Sequence, residues 1–188
     1  MIVYTTADTE NDLKGILNLQ KANLTNSLSP DEIKSHGFVT VSHSFEDLKK
    51  LNEIEKHIVA KDEDKVIAYL LAMTVQSKDN IPILFPMFEI FNKISFAGIL
   101  ISNYHYILVG QVCIAKDYRG KGILDHAYYK YKDQFEHKYD FAITEIAITN
   151  PRSINAHKRI GFNEIYRYKG PGKTEWVIVL WDWKVSSQ

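Results

Sequence analysis

One apolar segment constrains the fold of this chain more than any other feature. Residues 106–115 have strand-like character, and they lead through a glycine-containing turn into a helical pattern over residues 121–137. The patterns that follow predict a strand, a helix and two further strands, over residues 141–149, 151–160, 162–168 and 176–183. Strands and helices in this order indicate an α/β or α+β fold around one mixed sheet.

The first half of the chain is predicted to add elements to the same sheet. A short strand over residues 2–5 precedes an amphipathic helical pattern. Ser29 and Pro30 mark the start of a helix that ends at Gly37. We expect a helix over residues 45–55, strands over 57–60 and 66–75, and an irregular segment over 77–96. The chain has 188 residues without an evident repeat or linker, which predicts a single domain over residues 1–188.

Composition argues against several classes of protein. Acids and bases balance at 23 each, so no overall positive field draws the chain to nucleic acid or an anionic membrane. Residues 94–115 carry no charge, but the polar run Ser102-Asn103-Tyr104-His105 argues against a membrane span. The single Cys113 excludes a disulfide framework, and the N-terminal residues lack the basic region of a signal peptide. We therefore expect a cytoplasmic protein that binds neither nucleic acid nor membranes.

The turn after the apolar segment is typical of an anion-binding site. It reads Arg119-Gly120-Lys121-Gly122-Ile123-Leu124. Glycines let the backbone turn sharply and present successive N–H groups, and a helix N-terminus adds partial positive charge. Two basic side chains add full charges. These features favour a diphosphate as the ligand, and the alternative is a glycine turn with a solvated basic flank.

Three kinds of phosphate-binding loop compete for this turn. A P-loop requires Ser or Thr after its Gly-Lys pair, and this string lacks that ending because Ile123 follows Gly122. A dinucleotide-binding loop requires a third glycine where Asp125 stands, although Asp140 provides the acid that such loops carry further along. A coenzyme A pyrophosphate loop is the third candidate.

A second string predicts a short helix with polar groups on one edge. Asn150 is a favourable N-cap, Pro151 a favourable first residue and Gly161 a favourable C-cap. Ser153 and His157 are four residues apart and therefore share a face of this helix. Taken alone, the string is also typical of a well-capped helix with a surface histidine.

Together the two strings resemble the GNAT superfamily of acetyl-CoA-dependent N-acetyltransferases. The resemblance is close over residues 107–162, and the order of strands and helices extends it over most of the chain. The family's Q/R-x-x-G-x-G/A motif falls on Arg119, Gly122 and Leu124, and its later Asn-x-x-Ala/Ser…Tyr-x-x-x-Gly-Phe pattern falls on Asn150, Ser153, His157, Gly161 and Phe162. The chain departs from the family at Leu124, which replaces Gly or Ala, and at His157, which replaces the common tyrosine.

The resemblance implies a fold and a cofactor site. The fold is a mixed, mostly antiparallel twisted sheet flanked by helices, with a V-shaped splay between two central strands. Acetyl-CoA would lie between the strands that end at Ala115 and Thr149. Its pantetheine arm would pair with the main chain of Val112 and Ile114. Its pyrophosphate would lie on the amides of Arg119, Gly120, Lys121, Gly122, Ile123 and Leu124, with Asn150, Ser153 and His157 also at the cofactor.

The resemblance also implies direct transfer of an acetyl group to a primary amine. A main-chain N–H near Val112 or Cys113 would stabilise the developing oxyanion. His157 is either the acid for the departing thiolate or only a contact of the cofactor. If it is the acid, its pKa is raised or activity falls on the alkaline side well below pH ~10. Glu145 stands in an otherwise apolar strand, where it either accepts the substrate's proton or pairs with Arg or Lys.

Other functions and partners stay open at this level. A GNAT-like module that binds acyl-CoA without catalysis is the main alternative, and a nucleotide-binding oxidoreductase is the third. The resemblance places the acceptor wall on the first two helices and on loops such as residues 77–96. The tryptophan-containing strand over residues 176–183 is a candidate edge for a homodimer.

Overall fold

The computed structural model describes residues 1–80, 85–170 and 174–184, without the side chains of residues 34–36 and 78–80. Within these ranges the chain forms six α-helices and nine strands. The helices are α1 (Glu10–Lys21), α2 (Pro30–His36), α3 (Phe45–Ile54), α4 (Phe85–Phe91), α5 (Ile123–Phe135) and α6 (Pro151–Ile160). The strands are β1 (Ile2–Thr6), β2 (Ile58–Asp62), β3 (Lys65–Met73), β4 (Ser95–Phe96), β5 (Ile99–Leu100), β6 (Tyr106–Ile114), β7 (Phe141–Ala147), β8 (Asn163–Lys169) and β9 (Glu175–Asp182).

Three of the helices begin with the same local device. In each, the N-cap hydroxyl accepts a hydrogen bond from the third helical amide, and the carboxylate of that third residue accepts one from the N-cap amide. Such a cap stabilises a helix by about 1 kcal/mol. The pairs are Thr9 with Asp12 in α1, Ser29 with Glu32 in α2 and Ser44 with Asp47 in α3.

One parallel contact interrupts an otherwise antiparallel sheet. The main sheet has seven strands in the order β1-β2-β3-β6-β7-β9-β8. Only β6 and β7 are parallel, and their pairing ends at Leu108 opposite Ile143. Beyond that pair β6 continues along β3 and β7 continues along β9, so the two central strands separate. The mixed, mostly antiparallel sheet with a central V-shaped splay is thereby confirmed.

Helices cover both faces of this sheet. Ile16 of α1 and Leu48 and Leu51 of α3 are fully buried in the core on one face. Tyr128 and Tyr131 of α5 are fully buried on the other. Because both faces are covered, β3 is buried along almost its whole length, as its apolar sequence predicts.

One sequence expectation is confirmed and another differs from the structure. The segment 77–96 contains one short helix, α4, and the start of the small β4–β5 hairpin, so the expected irregular segment with a short helix is confirmed for its described residues, while residues 81–84 lie outside the described chain. The tryptophan-containing strand β9 lies between β7 and β8, so it is not the free edge that we expected for a dimer. Trp181 and Trp183 are buried in the core on the α5 side instead.

No helix among the described residues is long and apolar enough to span a membrane. In the same ranges, no three His, Cys, Asp or Glu residues come together as a metal ion would require.

The approach of α1 to β3 requires a glycine. A Cβ atom at Gly15 would lie 2.6 Å from Cγ2 and 2.8 Å from Cβ of Val66. Helix propensity favours alanine over glycine by about 1 kcal/mol, whereas overpacking costs about 1 to 3 kcal/mol. We therefore expect Gly15→Ala to lower the free energy of unfolding by about 1 kcal/mol in urea denaturation. Asn18→Ala, on the exposed face of the same helix, is the matched control and should be neutral or stabilising. Equal stabilisation by both substitutions would contradict the packing argument.

Candidate active site

A cleft of about 740 Å³ opens where β6 ends, between the N-terminal ends of α5 and α6. Both sequence motifs contribute residues to its walls. Of the candidate cofactor residues, the following line it: Val112, Cys113, Ile114, Arg119, Gly120, Gly122, Ile123, Leu124, Asn150, Ser153 and His157. Lys121 is absent from this wall.

The glycine turn forms one end of the cleft. Gly120 and Gly122 have φ angles of 74° and 75°, which explains why glycine occupies both positions. Gly122 is the N-cap of α5 and provides no side chain to satisfy the first helical amides. A Cβ atom at Gly120 would meet nothing within 4 Å, so the space in front of the turn is open. The turn therefore presents backbone donors and a helix N-terminus to an anion.

The two basic side chains of the turn are directed elsewhere. Nε of Arg119 donates to the carbonyl of Ile114 at 3.1 Å, and its NH2 group donates to Oδ1 of Asn23 at 2.6 Å. The ammonium of Lys121 lies 5.4 Å from the centre of the Tyr118 ring. Arg119 thereby connects the turn to the end of α1 while it still lines the cleft, and the expectation that both side chains add charge to the anion site stays a prediction.

Asp125 has a cationic partner within the cleft. Its carboxylate accepts two hydrogen bonds from the Arg159 guanidinium of α6, at 3.1 and 2.8 Å. Both residues line the cleft. Arg159 thus offsets the negative charge that Asp125 brings to the first turn of α5.

Burial keeps Cys113 inert beside this cleft. Its side chain is almost fully buried, and this raises the pKa of the thiol to about 12. Because the nucleophilic form of cysteine is the thiolate, Cys113 is poorly suited to carry an acyl group.

A short segment, residues 37–43, crosses the opening of the sheet after α2, and we call it the strap. Asn150 of α6 donates to the carbonyl of Phe38, and Gln111 of β6 donates to the carbonyl of Val41. The amide of Val39 donates to the carbonyl of Asn23. The strap is thereby tied to α6, to β6 and to the end of α1.

A buried polar network holds the far end of the strap. Gln20 accepts a hydrogen bond from the amide of His43 and donates one to the ring of His43. The same Gln20 amide donates to Oε1 of Gln111, which also accepts from the Tyr69 hydroxyl at 2.6 Å. Burial lowers the pKa of His43 to about 4, so its imidazole is neutral near pH 7.

A second, smaller cavity of about 90 Å³ lies under the strap. It is lined by strap residues 38–41, by β6 and β7 where these strands separate, and by Trp176. Glu145 lines this cavity, and its carboxyl group accepts a hydrogen bond from the Tyr168 hydroxyl. Burial raises the pKa of Glu145. The expected pairing of Glu145 with Arg or Lys is replaced by pairing with a tyrosine.

The two cavities meet at a junction. They share the lining residues Phe38, Val39, Val112, Asn150, Ser153 and His157. The predicted edge of α6 therefore lies where a ligand in the cleft would contact a ligand under the strap. Residues 77–96, expected in the acceptor wall, do not contribute to either cavity within the described part of the chain.

His157 is held in one neutral state at this junction. Its Nε2 is 2.6 Å from the Tyr128 hydroxyl, and its Nδ1 is 2.8 Å from the carbonyl of Ser153. A carbonyl only accepts, so Nδ1 carries the proton and Nε2 accepts from Tyr128. Burial lowers the pKa of His157 to about 4. A raised pKa, one of the two outcomes expected if His157 is the acid, is not found.

Several site residues escaped sequence reasoning. Arg159 lies within the second motif, but its role depends on Asp125, which we treated only as an obstacle to dinucleotide binding. Phe38, Val39 and Trp176 lie outside both motifs. The sequence gives little indication of these residues, because an extended segment such as the strap has no hydrophobic periodicity by which it could be recognised.

Comparisons with known proteins agree with this geometry. The sequence model of the Acetyltransferase (GNAT) family matches residues 21–162, so the chain belongs to the GNAT acetyltransferase family, whose members transfer acyl groups from acetyl-CoA. A search of curated proteins finds no significant match.

Solved structures share the fold at low sequence identity. A ribosomal-protein-alanine N-acetyltransferase from Brucella melitensis superposes with a TM-score of 0.62 at 19% identity, covering 96% of this chain and 99% of the other. A chimeric spermidine N-acetyltransferase from Vibrio cholerae gives 0.59 at 14%, with 96% and 95% covered. The protein yncA from Salmonella typhimurium, solved with its cofactor acetyl-CoA, gives 0.62 at 13%, with 100% and 96% covered.

Buried neutral histidines predict loss of stability in mild acid. Burial lowers the pKa values of His43, His57 and His157 to about 4, 3 and 4. The unfolded chain, with histidine pKa values near 6.5, binds more protons than the folded chain below that pH. The free energy of unfolding should therefore be fully retained above pH ~6.5 and fall by up to about 1.4 kcal/mol per pH unit per histidine below it.

Urea denaturation between pH 7.5 and pH 5 measures this slope. His157→Gln should reduce this slope by the contribution of one histidine proton. His137→Asn, at an exposed position on the surface, is the control and should leave it unchanged. A slope that does not change in His157→Gln would show that His157 titrates alike in both states.

Proposed function

We propose that this protein is an N-acetyltransferase that moves an acetyl group from acetyl-CoA directly to a primary amine. The observation that carries the proposal is the junction of two cavities. One is lined by the glycine turn and the other by Glu145. A donor and an acceptor could thus approach the same point from two sides. The sequence-based predictions of a cytoplasmic location and of a homodimer stay predictions.

The donor fits the larger cleft by charge and by backbone geometry. The amides of Gly120, Gly122 and the first turn of α5 suit its pyrophosphate. β6 is separated from β7 beyond Leu108, which leaves the main chain near Val112 and Ile114 available to a pantetheine arm. Acetyl-CoA supplies the activated acetyl group.

The chain's own groups then manage the protons of the transfer. The acceptor ammonium loses one proton to the Glu145 carboxylate, and the free amine attacks the thioester carbon. The C–N bond forms and the C–S bond breaks, and the sulfur keeps the electron pair of that bond. The second proton that nitrogen loses balances the proton taken up by sulfur. A main-chain N–H near Val112 or Cys113 stabilises the charge that develops on the carbonyl oxygen.

We assign His157 a positioning role in this reaction. Its only N–H group is directed to the carbonyl of Ser153, and its pKa is lowered to about 4. A neutral imidazole with its proton engaged is a poor acid for a thiolate. The same observation favours the alternative function, an acyl-CoA-binding module without catalysis, because it leaves the thiolate without an evident acid.

Binding of the donor is the first test. Acetyl-CoA at 100 times its dissociation constant should add about 2.7 kcal/mol of stability in a thermal shift, whereas NAD and ATP at equal concentration should add none. Binding with acetylation of an amine supports the transferase, and binding without turnover across an amine panel supports the module. Absence of binding would contradict both.

Variants of the Asp125–Arg159 pair provide a second test of acetyl-CoA binding. Arg159→Met leaves the Asp125 carboxylate uncompensated at the anion site, so we expect the dissociation constant of acetyl-CoA to rise at least tenfold. Asp125→Asn combined with Arg159→Met should recover most of the loss, since the uncompensated charge is gone. Isothermal titration calorimetry measures both. The control is Arg167→Met, which breaks an exposed ion pair with Glu164 on β8 and should leave binding unchanged. Failure of the double variant to recover would contradict this role.

Variants of Glu145 and His157 test which of the two residues takes part in proton transfer. Glu145→Gln should lower kcat about 100-fold or more, because it removes the proton acceptor. His157→Gln should keep kcat within about tenfold, with the alkaline limb of the pH profile in place. Glu164→Gln, at an exposed acid, is the control for Glu145. The opposite ranking of the two variants would assign the proton transfer to His157.

A further inference from the structure

The cavity under the strap is narrow. Its volume of about 90 Å³ leaves room for about six to nine water-sized atoms, at ~10–15 Å³ each. At the junction, Phe38 and Val39 of the strap face the same space as Val112 of β6. The end of the cavity where an acceptor would react is therefore bounded by bulky side chains.

The width of this cavity is set by a strap with several tethers. The carbonyl groups of Phe38 and Val41 accept from side-chain amides of α6 and β6, and the amide of His43 donates to Gln20. The bond between His43 and Gln20 is buried and the other two are partly buried, and such bonds are costly to leave unmade. A wider acceptor would have to break them.

The chemistry of the lining selects a cation on an apolar stem. Of the described residues that line the cavity, Glu145 is the single acid, and Lys and Arg are absent. The other buried polar groups are already satisfied: Thr144 donates to the carbonyl of Val109, and Gln111 donates to the strap and accepts from Tyr69. Val41, Val109 and Ile146 provide apolar walls. An ammonium beside Glu145 would compensate the buried carboxylate, while methylene groups suit the walls.

We propose that the acceptor is a primary amine at the end of an unbranched aliphatic chain, and that the strap excludes amines branched at the carbon next to nitrogen. This inference rests on the proposed function. Two kinds of molecule carry a primary amine of this type: a free alkyl diamine and the side chain of a lysine. The α-amine of a peptide is excluded, because its α-carbon carries both a carbonyl group and, except in glycine, a side chain.

A pair of isomeric amines tests the proposal directly. Pentylamine and 2-aminopentane have the same atoms and differ only in the branch beside the nitrogen. We expect kcat/KM for pentylamine to be at least tenfold higher, as steady-state release of free thiol measures. In parallel, 1,5-diaminopentane and an Nα-acetyl-lysine amide represent the two sources, and an alanyl peptide represents the excluded class.

A wall variant links the preference to the strap. Val41→Ala, which widens the second cavity and does not line the first, should reduce the discrimination between the isomers severalfold. The dissociation constant of acetyl-CoA should not change. Equal or better turnover of 2-aminopentane or of the alanyl peptide overturns this inference and leaves the transferase intact. Donor binding without acetylation of any amine overturns the proposed function, and the inference with it.

Discussion

Everything at this site depends on the loss of hydrogen bonding between β6 and β7 after three residue pairs. A parallel pair inside an antiparallel sheet has neighbours on both outer sides, so each strand follows its own neighbour once the shared register ends. The separation exposes main-chain groups in the middle of a sheet that is covered by helices on both faces. Main-chain groups in such a place require partners. In the proposed function a pantetheine arm would pair with such groups of β6, while the strap is held beside them by the side chains of Gln111 and Asn150.

The sequence predicts the scaffold well because its signals are local. Apolar runs, capping residues and glycine turns located most elements within a few residues of their observed ends, and α6 was predicted at its observed bounds. The edge of α6 formed by Asn150, Ser153 and His157 could be inferred from a spacing of three and four residues. These properties depend on the residues themselves and on their immediate neighbours.

The electrostatic interactions of the site could not be predicted in the same way, because most of them join residues far apart in the chain. Arg119 was expected to add charge to the anion site, but no pattern predicted that the side chain of Asn23 would hold its guanidinium group. Asp125 was interpreted as an obstacle to dinucleotide binding, whereas in the structure its carboxylate pairs with Arg159. A raised pKa was one of two expectations for His157 as an acid, but Tyr128 and the surrounding core bury the ring and lower that pKa. No spacing rule encodes these contacts.

The tethers of the strap have one further consequence. Side-chain carboxamides of Asn150, Gln111 and Gln20 hold it, and carboxamides neither titrate nor carry charge. The exposed Asp125–Arg159 pair on the donor side, by contrast, weakens as salt screens it. Ionic strength should thus act on the two halves of the site unequally. The discrimination between amines would stay constant over a wide range of salt concentration, whereas the affinity for acetyl-CoA would vary.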